Sequence, residues 1–258
     1  MKHKYINILI PSVSLLMATA VPAVTFAATP GCDPATPSTW GAATWDAGTT
    51  VSRTARIGAG TTIGTNTTVG PHTRIGVCGT IGNDVSLIPY AMVGDGVTVN
   101  DGATIGNRSR IGDGASIGAG ANINNHAFIG NGVTVKDGAS VGTSARIGDG
   151  TVIGPDSSIG GHAAVGSNNQ LGKDVVWIGP GVWDTTSNVN GTVTIGPYVR
   201  LKDGVLVGDG TNIGTRSRAG SSVIIGTDVT VGSKVAMCDN AQVLDGMSLV
   251  TKSRFGCF

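Results

Sequence analysis

The sequence predicts an all-β fold in which the chain winds as a parallel helix of short strands, about eleven triangular coils of three hexads each. Three observations predict it. From Val51 to Phe255 every sixth residue is apolar, at all 35 positions. The residue four positions after each is Ala, Ser, Thr or Val in 30 of 34 cases, the exceptions being Gly79, Asn169, Gly181 and Met247. Glycine is abundant, 42 of 258 residues, and recurs in Asp-Gly pairs two and three positions after the apolar residue. A period of six cannot keep to one face of an α-helix, and a fixed period marks an architecture of stacked repeats.

The elements follow in order. Residues 1–27, MKHKYINILIPSVSLLMATAVPAVTFA, carry Lys2 and Lys4, then an apolar stretch and a small-residue end, the pattern of a secretory signal cleaved after Ala27. Pro11 and Pro22 interrupt the run and no charged stop follows, so no membrane span is expected once it is removed. Residues 28–50, with ATPGCDPATPSTW, read as an N-terminal cap segment, and residues 51–258 as the β-helix without a net insertion. Within each hexad the apolar residue and the small residue two before it point inward, because strand side chains alternate. The residue between them points outward. Corners fall at pairs such as Asp95-Gly96, Asp113-Gly114 and Asp245-Gly246, where Gly accepts positive φ and Asp bonds its own turn. Turn chemistry thus accounts for most of the 16 acids, all of them Asp, ahead of a catalytic carboxylate pair.

An exported chain with four cysteines favours disulfides, and no CxxC spacing suggests a zinc site. Cys257 follows Cys238 by one coil and one further position, so the two sit on neighbouring coils and are expected to staple the last turn. Cys32 is expected to clip the N-terminal segment onto Cys78. The expected location is secreted, periplasmic or at the cell surface.

Motifs such as IGDGAS, IGNGVT, IGTDVT and IGPDSS resemble those of the hexapeptide-repeat proteins, over residues 51–255. The resemblance implies a left-handed coil and brings two activities with it. One is acyl transfer by a trimer with a histidine in the cleft between subunits, which makes His72, His126 and His162 the candidate catalytic bases. This chain shows neither the protruding loop nor the C-terminal helical segment usual in such enzymes, and an exported protein meets no cytosolic acyl-CoA. The other is γ-class carbonic anhydrase chemistry, with zinc on three histidines. Here the candidates stand three and two coils apart, about 14 and 10 Å, whereas zinc holds each nitrogen at about 2 Å. The family's histidines five residues apart are absent, as is any glutamate to shuttle protons. No metal and no other cofactor is expected.

Charge carries its message in pattern. Without Lys2 and Lys4 the chain has 17 − 2 = 15 basic and 16 acidic residues, a formal charge of −1. Coil-by-coil steps through one outward position read Arg56, Arg74, Met92, Arg110, Phe128, Arg146, Ala164, Val182, Arg200, Arg218, Ala236 and Arg254, which holds seven of the ten arginines. The neighbouring corner reads Thr54, His72, Tyr90, Arg108, His126, Ser144, His162, Pro180, Tyr198, Arg216, Lys234 and Lys252. Stacked like charges repel across a ladder, a cost an anionic partner would relieve. The candidate ligand-binding set is therefore Arg56, Arg74, Arg108, Arg110, Arg146, Tyr198, Arg200, Arg216 and Arg218, with Trp183 as a sugar-stacking ring. The implied partner is an acidic polysaccharide or other polyanion; nucleic acid is not expected, because net charge is near zero and aromatic residues are few. The alternative is that long arginine stems merely cover the sheet and keep it soluble.

The reading that follows is an exported non-catalytic protein that binds an anionic or carbohydrate polymer or builds a surface assembly. The trimeric enzyme is the alternative, and ice binding by the Thr and Ser columns of the other two sides is a second one. Self-association, as a trimer or an end-to-end filament, is expected, the latter because end strands invite stacking. Ile88 and Met92, at outward positions, mark a candidate subunit contact. In KDVVWIGPGVWDTTSNVNG, residues 173–191, Trp177 and Trp183 fall at core positions. They either plug a widened core or mark a slip of register that lets a short loop emerge.

Overall fold

A computed structural model describes residues 43–173, 176–179, 182–184 and 191–257, with backbone alone from 173 to 184. Two-residue strands follow one another every six residues and assemble into three parallel sheets of eleven strands each. The first sheet begins with Thr44–Trp45, the second with Thr50–Val51 and the third with Arg56–Ile57. Each strand pairs with the one a full coil further on, as in Arg110↔Phe128 and Ile111↔Ile129. The chain is thus a left-handed parallel β-helix of eleven coils, about 50 Å long at the usual strand spacing. Pairing already starts at Thr44, opposite Thr62.

The core is the stack of every-sixth residues, from Ile63 to Val243, nearly all without exposed surface. The small residues beside them include buried hydroxyls, and each is satisfied by the coil geometry. Thr67 donates to the Gly82 carbonyl at 2.7 Å and accepts from the Val85 amide at 3.2 Å; Ser109 does the same with Asn124 and Ala127. A hydroxyl in this column therefore bridges two coils, which is why Ser and Thr replace Ala there without the cost of a buried unpaired group.

The coil is interrupted once among the described residues, contrary to a repeat without net insertion. Ser158 pairs with Thr194 and Ala164 with Arg200, two coil lengths along the chain instead of one, so a full coil length leaves the helix. Part of that excursion is an antiparallel hairpin, Val176–Gly179 against Val182–Asp184, in which Trp177 lies opposite Trp183. Neither tryptophan stands in a ladder of the three sheets, so the slip alternative is the one met by the backbone: the chain leaves the stack here. The excursion leaves at Gly172, in the left-handed region at φ +82°, and returns at Gly191, whose amide donates to the Gly172 carbonyl at 2.7 Å. A Cβ on Gly172 would strike the Gly191 carbonyl. Asn169, at the base of the excursion, is fully buried, and its Oδ1 accepts from the Val205 amide at 2.7 Å across the skipped length.

Cys238 and Cys257 form the expected disulfide, with Cα atoms 5.2 Å apart. Cys78 is disulfide-bonded; Cys32 lies outside the described residues. Among the described residues no helix is long and apolar enough to cross a membrane.

Candidate functional site: a basic edge

The three corners share one backbone geometry, with the third residue after the core position in the left-handed region at nearly every described corner, Thr54 and Thr192 excepted. At two of them this residue is Gly twelve times and Asn or Asp six times, besides Cys78 and Ser222. The third corner, between the second and third sheets, holds ten residues at φ 55–64°, from His72, Tyr90 and Arg108 to Lys234 and Lys252, and none is Gly, Asn or Asp. An L-residue with a Cβ pays about 1–2 kcal/mol for this conformation. Long polar side chains are therefore held at one edge against the local preference that rules the other two.

The charges divide the same way. All ten arginines lie on that edge or on the outward face of the third sheet: Arg53, Arg108 and Arg216 at the corner, and Arg56, Arg74, Arg110, Arg146, Arg200, Arg218 and Arg254 along the sheet. Twelve of the 16 aspartates lie at the other two corners and none at this one. Their task there differs from the expected bond within their own turn. Nine of them cap the coil before: Asp113 Oδ1 accepts from the Asp95 amide at 2.9 Å, and Asp101 Oδ1 from the Asn83 amide at 2.7 Å; Asp84, Asp156 and Asp228 instead take the left-handed position themselves. Asp239 accepts from the Ser221 amide, and that bond, with Lys202 at 3.2 Å, holds its carboxyl below the usual value. Most of the acids at these corners are thus consumed in structure. Among the described residues no arginine is ion-paired.

The arrangement RSR, residues 108–110 and again 216–218, shows how two guanidiniums reach one edge. Ser109 and Ser217 point inward and bond the core carbonyls of Asn124 and Gly232, leaving the flanking arginines exposed on the corner and on the sheet. The predicted pairs of stacked arginines are present, Arg56 beside Arg74 and Arg200 beside Arg218. Arg110 stands between Met92 and Phe128, and Arg146 beside Phe128.

Aromatic rings occupy the corner in two like stacks. His72 lies on Tyr90 with centroids 4.9 Å apart, and Arg108 covers the tyrosine at 5.6 Å. His162 lies on Tyr198 at 5.1 Å, and Arg216 covers that ring at 5.8 Å. Such contacts contribute about 0.5–1.5 kcal/mol, which offsets part of the left-handed strain. The second stack joins residues two coil lengths apart in the chain and exists only because the excursion is looped out; single-coil steps alone set His162 beside Pro180. Tyr198, one of the candidate ligand-binding residues, has its faces occupied and offers its hydroxyl.

The three histidines do not converge. His72 and His162 are bound up in stacks, while His126 is exposed in a depression of about 380 Å³ lined with Arg108, Arg110, Ala127, Phe128 and Arg146. None of the three imidazoles bonds a carboxylate among the described residues, and no group of three or more His, Cys, Asp or Glu is gathered there. Trp183 lies where side chains are outside the described residues. Phe128, 44% exposed in the middle of the basic column, was not singled out from sequence as a site residue, although its place between Arg110 and Arg146 was readable there.

A family model described as the GMPPB C-terminal domain matches residues 41–144. No curated protein matches the chain in sequence. Among solved structures, the UDP-N-acetylglucosamine O-acyltransferase LpxA of Moraxella catarrhalis RH4 is 16% identical, with TM-score 0.38, over 78% of this chain and 65% of that one. The UDP-N-acetylglucosamine acyltransferase of Francisella novicida is 18% identical, with TM-score 0.35, over 77% and 62%. The polySia specific acetyltransferase NeuO is 17% identical, with TM-score 0.34, over 77% and 79%. The chain spans less than two thirds of the length of the first two. At these identities the likeness is no wider than the fold. Its own six-residue repeat and its three eleven-stranded parallel sheets give this chain the left-handed parallel β-helix fold of hexapeptide repeats.

Proposed function

We propose that this chain binds an acidic polysaccharide along its basic edge. The observation that carries the reading is the placement of every arginine on one corner and its adjoining sheet, without an ion pair among the described residues, with nine aspartates engaged as caps at the other two corners. A guanidinium presents a planar fork of donors that matches a carboxylate. A regular column of such forks, with charges of opposite sign held across the prism, attracts a long polyanion while net charge stays near zero. The protein would work outside the cytosol, a reading that the Cys238–Cys257 disulfide supports. The test is equilibrium binding of the full chain to polygalacturonate at rising salt. Binding should weaken as salt screens it, and Arg108→Ala with Arg110→Ala should weaken it at every salt. Unchanged binding of that variant to each acidic glycan tried would remove the reading.

One observation favours a second reading, acyl transfer. His126 alone among the three candidates is free of ring stacking, and it shares its depression with three guanidiniums suited to an anionic acyl donor. There an imidazole nitrogen would take the proton from an acceptor hydroxyl or amine as its oxygen or nitrogen attacks the acyl carbonyl, and would pass that proton to the donor's leaving group as the acyl–donor bond breaks. The solved structures named above are acyl- and acetyltransferases. Light scattering for a trimer and transfer assays with His126→Ala decide it: transfer by the parent chain that is lost in the variant supports an enzyme, and no transfer to any acceptor removes it.

A further inference from the structure

We propose that the third sheet carries two successive subsites for a polysaccharide in which acidic and uncharged sugar units alternate. This rests on the polymer-binding reading above and names its substrate class. From Arg74 to Arg146 the outward column alternates strictly: Arg74, Met92, Arg110, Phe128, Arg146, each beside the next in the ladder. Guanidinium-bearing coils in this tract are thus two coils apart, about 10 Å, with an apolar side chain midway. The apolar side chains line two adjoining depressions, with Met92 in the first and Phe128 shared by both. One, of about 340 Å³, lies among Arg74, Met92, Arg110 and Phe128; the other, of about 380 Å³, lies among Arg108, Arg110, His126, Phe128 and Arg146.

This alternation differs from the rest of the column. Arg56 beside Arg74 and Arg200 beside Arg218 present charge on successive coils, as a uniformly charged polymer would need. In the alternating tract such a polymer sets every second anion over Met92 or Phe128, which lack donors, and desolvates it without a partner. A chain with one carboxylate per pair of sugars avoids that penalty. Its carboxylates meet Arg74, Arg110 and Arg146, and the C–H faces of the uncharged units lie on Met92 and Phe128. Phe128 is 44% exposed and takes part in neither ring stack, so its face is open to a sugar.

The test compares two oligosaccharides of equal length against the full chain by calorimetry: a hyaluronan fragment, with glucuronate alternating with N-acetylglucosamine, and an oligogalacturonate charged on every unit. The alternating ligand should bind tighter by roughly ten-fold, and Phe128→Ala should remove that advantage, the worth of one aromatic contact. Phe128→Tyr should keep it, and Met92→Arg with Phe128→Arg should reverse the preference. Because these side chains point outward, thermal unfolding should be nearly unchanged. Equal binding of the two ligands by the parent chain, or equal loss in Phe128→Ala and Phe128→Tyr, would overturn the alternating subsites and leave polymer binding standing. Failure of both ligands to bind would overturn the two proposals together.

Discussion

The basic edge and the two acidic edges turn the same chain through the same corner by different chemistry. At the acidic edges Gly, Asn and Asp take the left-handed position cheaply, and an Asp or Asn one residue earlier caps the amide of the coil before it. At the basic edge the left-handed residue is His, Tyr, Arg, Ser or Lys, and rings stacked between coils take over part of the stapling. A corner needs only to turn. That one of three accepts strain from His72 to Lys252, and collects the arginines, assigns that edge a task beyond turning.

The comparison can be broken at several points. Tyr198→Ala removes contacts to both His162 and Arg216 and leaves a Cβ in the left-handed region; chemical denaturation should register a loss of about 1–2 kcal/mol. Asp113→Ala deprives the Asp95 amide of its acceptor, and the same measurement should give about 1 kcal/mol. If instead Asp113→Ala is neutral, the acidic edges do not depend on their caps. Ser144, at φ 59° on the basic edge and outside both stacks, offers the opposite sign. Ser144→Gly should stabilise the protein by a little under about 1 kcal/mol by relieving strain; a loss would mean that the edge is not strained.

The smallest effect is one of pH. The Asp239 carboxyl titrates lower in the folded chain than in the unfolded one, held down first by the Ser221 amide and then by Lys202. Its contribution is present above the unfolded value, about 3.9, and is lost as pH falls through the folded value. Asp239→Asn should therefore flatten the acid limb of thermal stability, by slightly lowering stability at neutral pH while leaving it nearly unchanged at acid pH, where the carboxyl is protonated in both states.

How much of this the sequence carried is clear from particular residues. The apolar series through Ile63, Ile81 and Ile123 dictates the fold because a buried ladder tolerates no change of period. Neighbours such as Arg110 and Phe128 follow from single-coil steps. The excursion showed only as one of two alternatives, through Trp177 and Trp183 at core positions, and its extent stayed hidden because it consumes one whole coil length of chain and so keeps the period while breaking the stack. The stack of His162 on Tyr198 was hidden for the same reason. The role of the aspartates was misplaced by one coil, since an Asp one residue before a left-handed Gly looks alike whether it bonds its own turn or the turn below. What singled out the basic edge was composition at fixed spacing, which needs no coordinates, whereas the strain that gives this composition its meaning is a property of φ.

The central claim is that the basic edge, and not the prism as a whole, is the ligand surface. It is tested most directly by polygalacturonate affinity at low salt for two matched triple variants, Arg74, Arg110 and Arg146→Ala, and Asp95, Asp113 and Asp149→Asn. The account predicts about a hundred-fold weaker binding for the first, at about 1 kcal/mol for each partly solvated charged contact, and unchanged or tighter binding for the second. Equal affinities in the two, or loss confined to the aspartate variant, would contradict it.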